Sequence, residues 1–183
     1  MPCSQPNIKS SLTCFGGHFG EIMRVLITGA AGYIGSELIA HLINEHKVTA
    51  IDNMMYDRTS LLRYATHPNF TFIEGDVRDT NTLLKLVSKH DIIIPLAALV
   101  GFPLCEKDRR GAAEINFAAN RFIAEAKSPD QMLLYPCTNS GYGVAKDGVC
   151  TEESPLNPVS LYGKTKVQAE AVYQETPGCT TFR

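Results

Sequence analysis

The chain has 183 residues, 44% hydrophobic and 20% charged, with Lys+Arg 17 against Asp+Glu 19 and a formal net charge of -2. That composition is ordinary for a soluble globular protein with enough chain for one sizeable core. No basic excess points to nucleic acid, no charge block reads as an interaction tail, and the longest apolar stretches are far too short to cross a membrane.

Residues 1–22 mix Pro2, Pro6, Gly16, Gly17 and Gly20 with serines and show no period. They lack the apolar core of a secretory signal and the arginines of a transit peptide. They read as a flexible leader, with Met23 a candidate functional start and residues 23–183 the folded domain. Six cysteines are scattered without a Cys-x-x-Cys pair. Neither a metal site nor a disulfide framework is expected, and reduced thiols suit a cytoplasmic protein.

Val25, Leu26 and Ile27 form a continuous apolar run, the signature of a central parallel strand covered on both faces. The run stops at Thr28, and glycines follow at Gly29, Gly32 and Gly35. From Tyr33 the pattern turns helical, with Ile34, Leu38, Ile39, Leu42 and Ile43 at three- and four-residue steps. A strand, a glycine turn and a helix N-terminus make a phosphate site, because backbone N–H groups and the positive end of the helix dipole face the anion. A second strand, Val48 to Ile51, ends at Asp52, where a carboxylate can accept from an adenosine ribose. A carboxylate suits a free 2′-hydroxyl and repels a 2′-phosphate, which favours NAD over NADP; Arg58 is near enough in sequence to bear on that choice.

A short helix is expected near Leu61 to Tyr64, then a third strand, Phe70 to Ile73, leading into Gly75-Asp76-Val77. Asp76 stands at a strand's carboxyl end, where it can accept from an adenine amine with Val77 over the ring, or it can cap the helix that begins near Thr80. Asp91 to Ile94 is a fourth strand, followed by small residues in Leu96-Ala97-Ala98 that let the chain pass under a ribose. Leu99 to Arg110 is expected as a loop facing substrate, its Arg109 and Arg110 either meeting a pyrophosphate or, as is commoner, solvated. Glu114 to Lys127 is an amphipathic helix in which Asn116 pins neighbouring backbone. Gln131 to Tyr135 is a fifth strand that opens into a hydroxyl-rich turn around Thr138. After a turn-rich stretch, a helix begins near Ser160, and Cys179 to Arg183 is a sixth strand. Alternating strands and helices give an α/β, doubly wound parallel sheet of the Rossmann type.

Tyr162 and Lys166 are four apart and share a helix face. An ammonium beside a phenol favours the phenolate, so a lowered tyrosine pKa and a base usable near neutrality are expected.

The motif Thr28-Gly29-Ala30-Ala31-Gly32-Tyr33-Ile34-Gly35, with Asp52, Asp76-Val77, Thr138 and Tyr162-x-x-x-Lys166, resembles the extended short-chain dehydrogenase/reductase family. More narrowly, the chain is similar to the NAD-dependent epimerase/dehydratases of nucleotide sugars, from about Arg24 to Arg183. The resemblance implies NAD held by Gly29, Gly32, Tyr33, Ile34, Gly35, Asp52, Asn53, Asp76, Val77, Leu96, Ala97, Ala98 and Lys166. It implies a catalytic set of Thr138, Tyr162 and Lys166: Tyr162 takes the proton from a sugar C4 hydroxyl, Thr138 bonds the reacting oxygen, and Lys166 holds the nicotinamide ribose. A nucleotide-sugar substrate and a homodimer formed through the Tyr162 helix are further implications.

The departures from the family pattern narrow the chemistry. Where the 4,6-dehydratases carry Asp-Glu after the threonine, this chain has Asn139 and Ser140, which disfavours dehydration. The cysteine some C3 or C5 epimerases carry at the position of Ser140 is also missing, and Pro95 replaces a histidine on the cofactor side. A 4-epimerase is the leading expectation, with a reductase, a dehydrogenase or a non-catalytic NAD-binding protein as alternatives. Family members continue into a smaller substrate domain, so the resemblance also implies a C-terminally truncated sheet with an open edge, weak NAD binding and little turnover by these residues alone.

Overall fold

The computed structural model describes residues 21–56, 59–144 and 149–183; most of the expected leader, with Cys3 and Cys14, and Arg58 lie outside the described residues. Six strands form one parallel sheet: β1 (Arg24–Thr28), β2 (Lys47–Asp52), β3 (Phe70–Glu74), β4 (Ile92–Pro95), β5 (Met132–Pro136) and β6 (Cys179–Phe182), in the order β3-β2-β1-β4-β5-β6. The order reverses between β1 and β4, and ligands gather at that point in doubly wound sheets. Between the strands run α1 (Tyr33–Leu42), α2 (Thr80–Val87), α3 (Phe102–Lys107), α4 (Arg109–Ala113), α5 (Ala119–Ala126) and α6 (Leu161–Gln174).

Strand alternation divides the core in two. Leu26, Ile51, Ile93, Leu133 and Tyr135 pack on one face with side chains of α2, α5 and α6. Val25, Ile27, Val48, Ala50 and Ile94 point to the other, against Ile39 of α1, its C-cap Ile43 and the short 3-10 turn at Leu62–Tyr64. Burying each such aliphatic side chain is worth about 1.5–3 kcal/mol. This two-sided burial is what turned the Val25–Ile27 run into an unbroken apolar stretch rather than an alternating one.

Two expectations change. Leu99 to Arg110 is not a loop throughout but holds α3 and the start of α4. Asp108, between them, accepts from the Gly111 N–H at 2.8 Å and so caps α4. The helix expected from Glu114 widens into a π turn over Glu114–Ala118 before α5 resumes. Asn116 lies in that turn, fully buried. Its Oδ1 accepts from Leu99 N–H at 2.8 Å, while its Nδ2 donates to Leu99 C=O at 3.0 Å and to Thr165 Oγ1 at 3.3 Å. The pinning role expected of Asn116 is therefore present, and it ties the segment after β4 to α6.

β3 and β6 are the sheet's outer strands. Among the described residues, no helix is long and apolar enough to cross a membrane, and no cluster of His, Cys, Asp or Glu could hold a metal ion.

Candidate active site

A cleft of about 480 Å³ opens over the carboxyl ends of β1, β2 and β4. Its floor is the turn between β1 and α1. Gly29 has φ +66, and a Cβ there would stand 2.6 Å from the Ala97 backbone, so only glycine fits both the turn and the neighbouring strand's exit. Gly35 serves packing instead: a Cβ would stand 2.6 Å from the Ala30 carbonyl. At Gly32 an added Cβ would meet only the Gly29 carbonyl, at 3.1 Å. Gly32 is also the N-cap of α1 and offers no side-chain cap, which leaves the helix entrance to a ligand. Tyr33 and Ile34 stand exposed at its mouth.

Asp52 is tied to the same turn. Its Oδ2 accepts from Ala31 N–H at 3.0 Å and its Oδ1 from Met54 N–H at 2.9 Å. Two lone-pair positions are thus used, and the carboxylate retains others for a donor in the cleft. Met54 sits in the left-handed region with φ 54. Met54, Met55 and Tyr56 line the wall beyond Asp52; the apolar run after the acidic residue was the available signal for them.

Asp76 does not cap α2. That cap is Asp79, whose Oδ1 accepts from Asn81 and Thr82 N–H. Asp76 instead lines the cleft, gripped by Arg78 through Nε at 2.9 Å and Nη2 at 2.7 Å, with Asn53 Nδ2 at 3.1 Å. The Arg78 hydrogen bonds lower its pKa to about 2. Arg109 and Arg110 lie on α4 and pair with Glu106 and Glu114, away from the glycine turn; the solvated reading is the one realised.

The far wall is made by β5 and α6. Ser160 caps α6 by accepting from Gly163 N–H at 3.0 Å, which starts the helix so that Tyr162 and Lys166 fall one turn apart and line the same cleft as the glycine turn. Thr138 does not line the cleft itself. It caps the short turn Asn139–Gly141, accepting from Ser140 N–H at 3.2 Å, and its side chain acts on the Tyr162 phenol in the direction that lowers the phenol's pKa.

The titration behaviour differs from the expectation. Burial pushes the Tyr162 phenol up, and Thr138 offsets only part of this. The Lys166 ammonium is turned elsewhere: it donates to the Pro136 carbonyl at 2.8 Å and stands 4.0 Å above the Tyr135 ring. Burial drops the Lys166 pKa to about 8. Cys137, also on the cleft wall, is pushed up to about 11 by burial and the nearby Glu170 carboxylate. Sequence reasoning missed Cys137 as a wall residue; its place directly before Thr138 was the only hint.

Every residue the resemblance assigned to the cofactor lines this one cleft, together with Tyr162 and Lys166.

A model of the NAD dependent epimerase/dehydratase family matches residues 25–176. The low-salt glycan biosynthesis protein Agl12 of Haloferax volcanii is 32% identical over 169 residues, covering 87% of this chain and 54% of that protein. A UDP-glucose 4-epimerase of Lactobacillus helveticus is 29% identical over 154 residues, covering 82% of this chain and 46% of that enzyme. Among solved structures, the Bordetella bronchiseptica enzyme WbmG in complex with NAD and UDP superimposes with a TM-score of 0.81 at 28% identity, over 91% of this chain and 54% of that one. The chain thus spans about half the length of the curated relatives it matches.

Proposed function

We propose, from the premise that this chain belongs to the NAD dependent epimerase/dehydratase family, that it is the cofactor-binding part of a nucleotide-sugar 4-epimerase. The observation that carries the reading is the convergence of Tyr162 and Lys166 on the cleft floored by the glycine turn, with Thr138 behind the Tyr162 phenol. Gly32 and the first turn of α1 face a pyrophosphate, Asp52 takes the adenosine ribose hydroxyls, and Asp76 and Val77 meet the adenine. NAD, when bound, supplies the acceptor and donor of hydride.

Tyr162 moves the proton at the sugar C4 oxygen, and Thr138 steadies the phenol. Burial keeps the phenol protonated in the free site, the state that delivers a proton to a 4-keto oxygen. In the oxidising direction the phenol must first lose its proton to solvent; Lys166, released from the Pro136 carbonyl, would turn its charge toward the phenolate, which then takes the C4 hydroxyl proton and returns to phenol. Asn139 and Ser140 exchange no protons near neutrality, so water loss is not part of this reaction. A reductase or dehydrogenase would use the same three groups, and product analysis with UDP-sugars separates them: an epimerase returns a sugar of unchanged mass.

Tyr162→Phe in the full-length protein is expected to lower turnover by about 10²–10⁴-fold while NAD binding stays nearly intact. Unchanged turnover would remove the mechanism. The 183-residue chain alone is expected to bind NAD weakly and to turn over little, and sugar-dependent hydride transfer by it would overturn that.

A further inference from the structure

The Asp76 carboxylate is more completely engaged than an open adenine acceptor would need to be. Its Oδ1 accepts from Arg78 N–H at 2.9 Å and Arg78 Nε at 2.9 Å, and its Oδ2 from Arg78 Nη2 at 2.7 Å and Asn53 Nδ2 at 3.1 Å. A carboxylate offers about four lone-pair positions, and here all four are taken. Three belong to Arg78, whose Nη1 also lies 3.6 Å from Glu114 Oε2. The guanidinium is therefore held from two sides in a fork that fixes the plane of the carboxylate. The fourth belongs to an exposed amide on the loop after β2, whose own Oδ1 accepts from the nearby Met55 N–H at 3.2 Å.

We propose that Arg78 is a positioning residue for base selection: it clamps Asp76 so that only the position held by the Asn53 amide is exchangeable, and that position admits the amine of a 6-aminopurine. The inference rests on the reading that adenine lies against Asp76. The exchange is like for like, since an aromatic amine replaces an amide as donor. A 6-oxopurine puts a carbonyl where the amine stood, facing a carboxylate oxygen. Its nearby donor, N1–H, lies further along the ring edge. A carboxylate free to turn can follow that donor, and one gripped by a fork cannot. Arg78 thus acts through Asp76 rather than by touching the base, and its effect falls on discrimination more than on affinity.

The test is equilibrium titration of the full chain with NAD and with nicotinamide hypoxanthine dinucleotide, read as the ratio of the two dissociation constants. The wild type is expected to favour NAD by roughly tenfold or more, the effect of a carbonyl set against a carboxylate oxygen in place of a donor. Arg78→Met should bring the ratio to within about twofold, and Arg78→Lys, which keeps the charge without the fork, to an intermediate value. Asn53→Ala should keep or raise the ratio. A merely structural Arg78 would weaken both dinucleotides alike, so an unchanged ratio in Arg78→Met overturns the proposal, as does a ratio near one in Asn53→Ala. Asp76→Asn separates the two levels. If it collapses the ratio while Arg78→Met does not, only the clamp is wrong; if it leaves the ratio unchanged, the adenine reading falls and the clamp with it.

Discussion

The half of the sheet built from β1, β2 and β3 and the half built from β4, β5 and β6 solve different problems. The first shapes its side of the cleft mainly with backbone: glycines admitted close to other main chain, and Asp52 bonded to one amide of the glycine turn and one of its own. Its charged groups, Asp76 and Arg78, sit near the surface. The second buries its polar groups. Lys166, Asn116, Asn120, Thr165 and Glu170 are all nearly inaccessible, and each has a partner. Glu170 is held by Arg183 at 2.9 and 3.1 Å, and Arg183 also donates to the Glu152 carbonyl at 2.9 Å. On the proposed function, the first half binds an anion on amides, which needs shape, and the second moves a proton, which needs charges taken out of water and held still. The two halves are expected to respond differently to mutation.

The sharpest test is Glu170→Ala. It strands the Arg183 guanidinium, only 11% exposed, and removing one partner of a buried pair typically costs about 3–5 kcal/mol. Denaturant unfolding measures it, and a loss below about 1 kcal/mol would mean that water already reaches the pair. Next comes Lys166, whose folded pKa of about 8 lies below the ordinary 10.5. Below pH 8 both folded and unfolded chains hold the proton, and the folded state bears the full cost of burying it. Between the two values the unfolded chain holds more protons, so stability rises with pH, by ~3 kcal/mol for a gap of that size. Cys137 works in the opposite sense from its ordinary 9.0 to about 11. The clean readout is therefore the wild type minus Lys166→Met, followed by urea unfolding from pH 7 to 10.5: the wild type should gain on the variant. A flat difference would show that the ammonium is hydrated.

On the other side of the comparison, Gly35→Ala drives a methyl into the Ala30 carbonyl and is expected to cost about 1–3 kcal/mol of stability, measured by thermal unfolding. The smallest effect belongs to Arg24→Ala. Its pair with Asp91 is short, at 2.5 Å, but the side chains are 55% and 30% exposed, so only a marginal loss is expected and added salt should erase it. A loss as large as that of Glu170→Ala would break the distinction between the halves.

Much of the nucleotide half was legible because its signals are local. An apolar run, three glycines and a helical period lie within Val25 to Ile43 and need no distant partner to be read. Arg78 was also within reach: Asp76 accepting from the amide two residues on is an Asx turn, and Asp79, three residues before Thr82, was the better cap. The chemical half was less legible. That Tyr162 and Lys166 share a face follows from spacing, but the direction of the ammonium depends on the Pro136 carbonyl, 30 residues earlier. The phenol's pKa depends on burial that no local window reports. The helical content of Leu99 to Arg110 was hidden for a similar reason: Asn116 completes that segment from 17 residues away.

The sheet order also sets how the chain must find its structure. Parallel strands leave no hairpin to form first, and the central β1–β4 pairing joins Val25 to Ile92 across the whole nucleotide half. The pairing of β1 with β2 closes a loop that includes an entire helix. Loop-closure entropy is therefore lost before most contacts repay it, and the expectation is slow, high-contact-order folding in which β1 joins β2 early and the switch point that forms the cleft comes late.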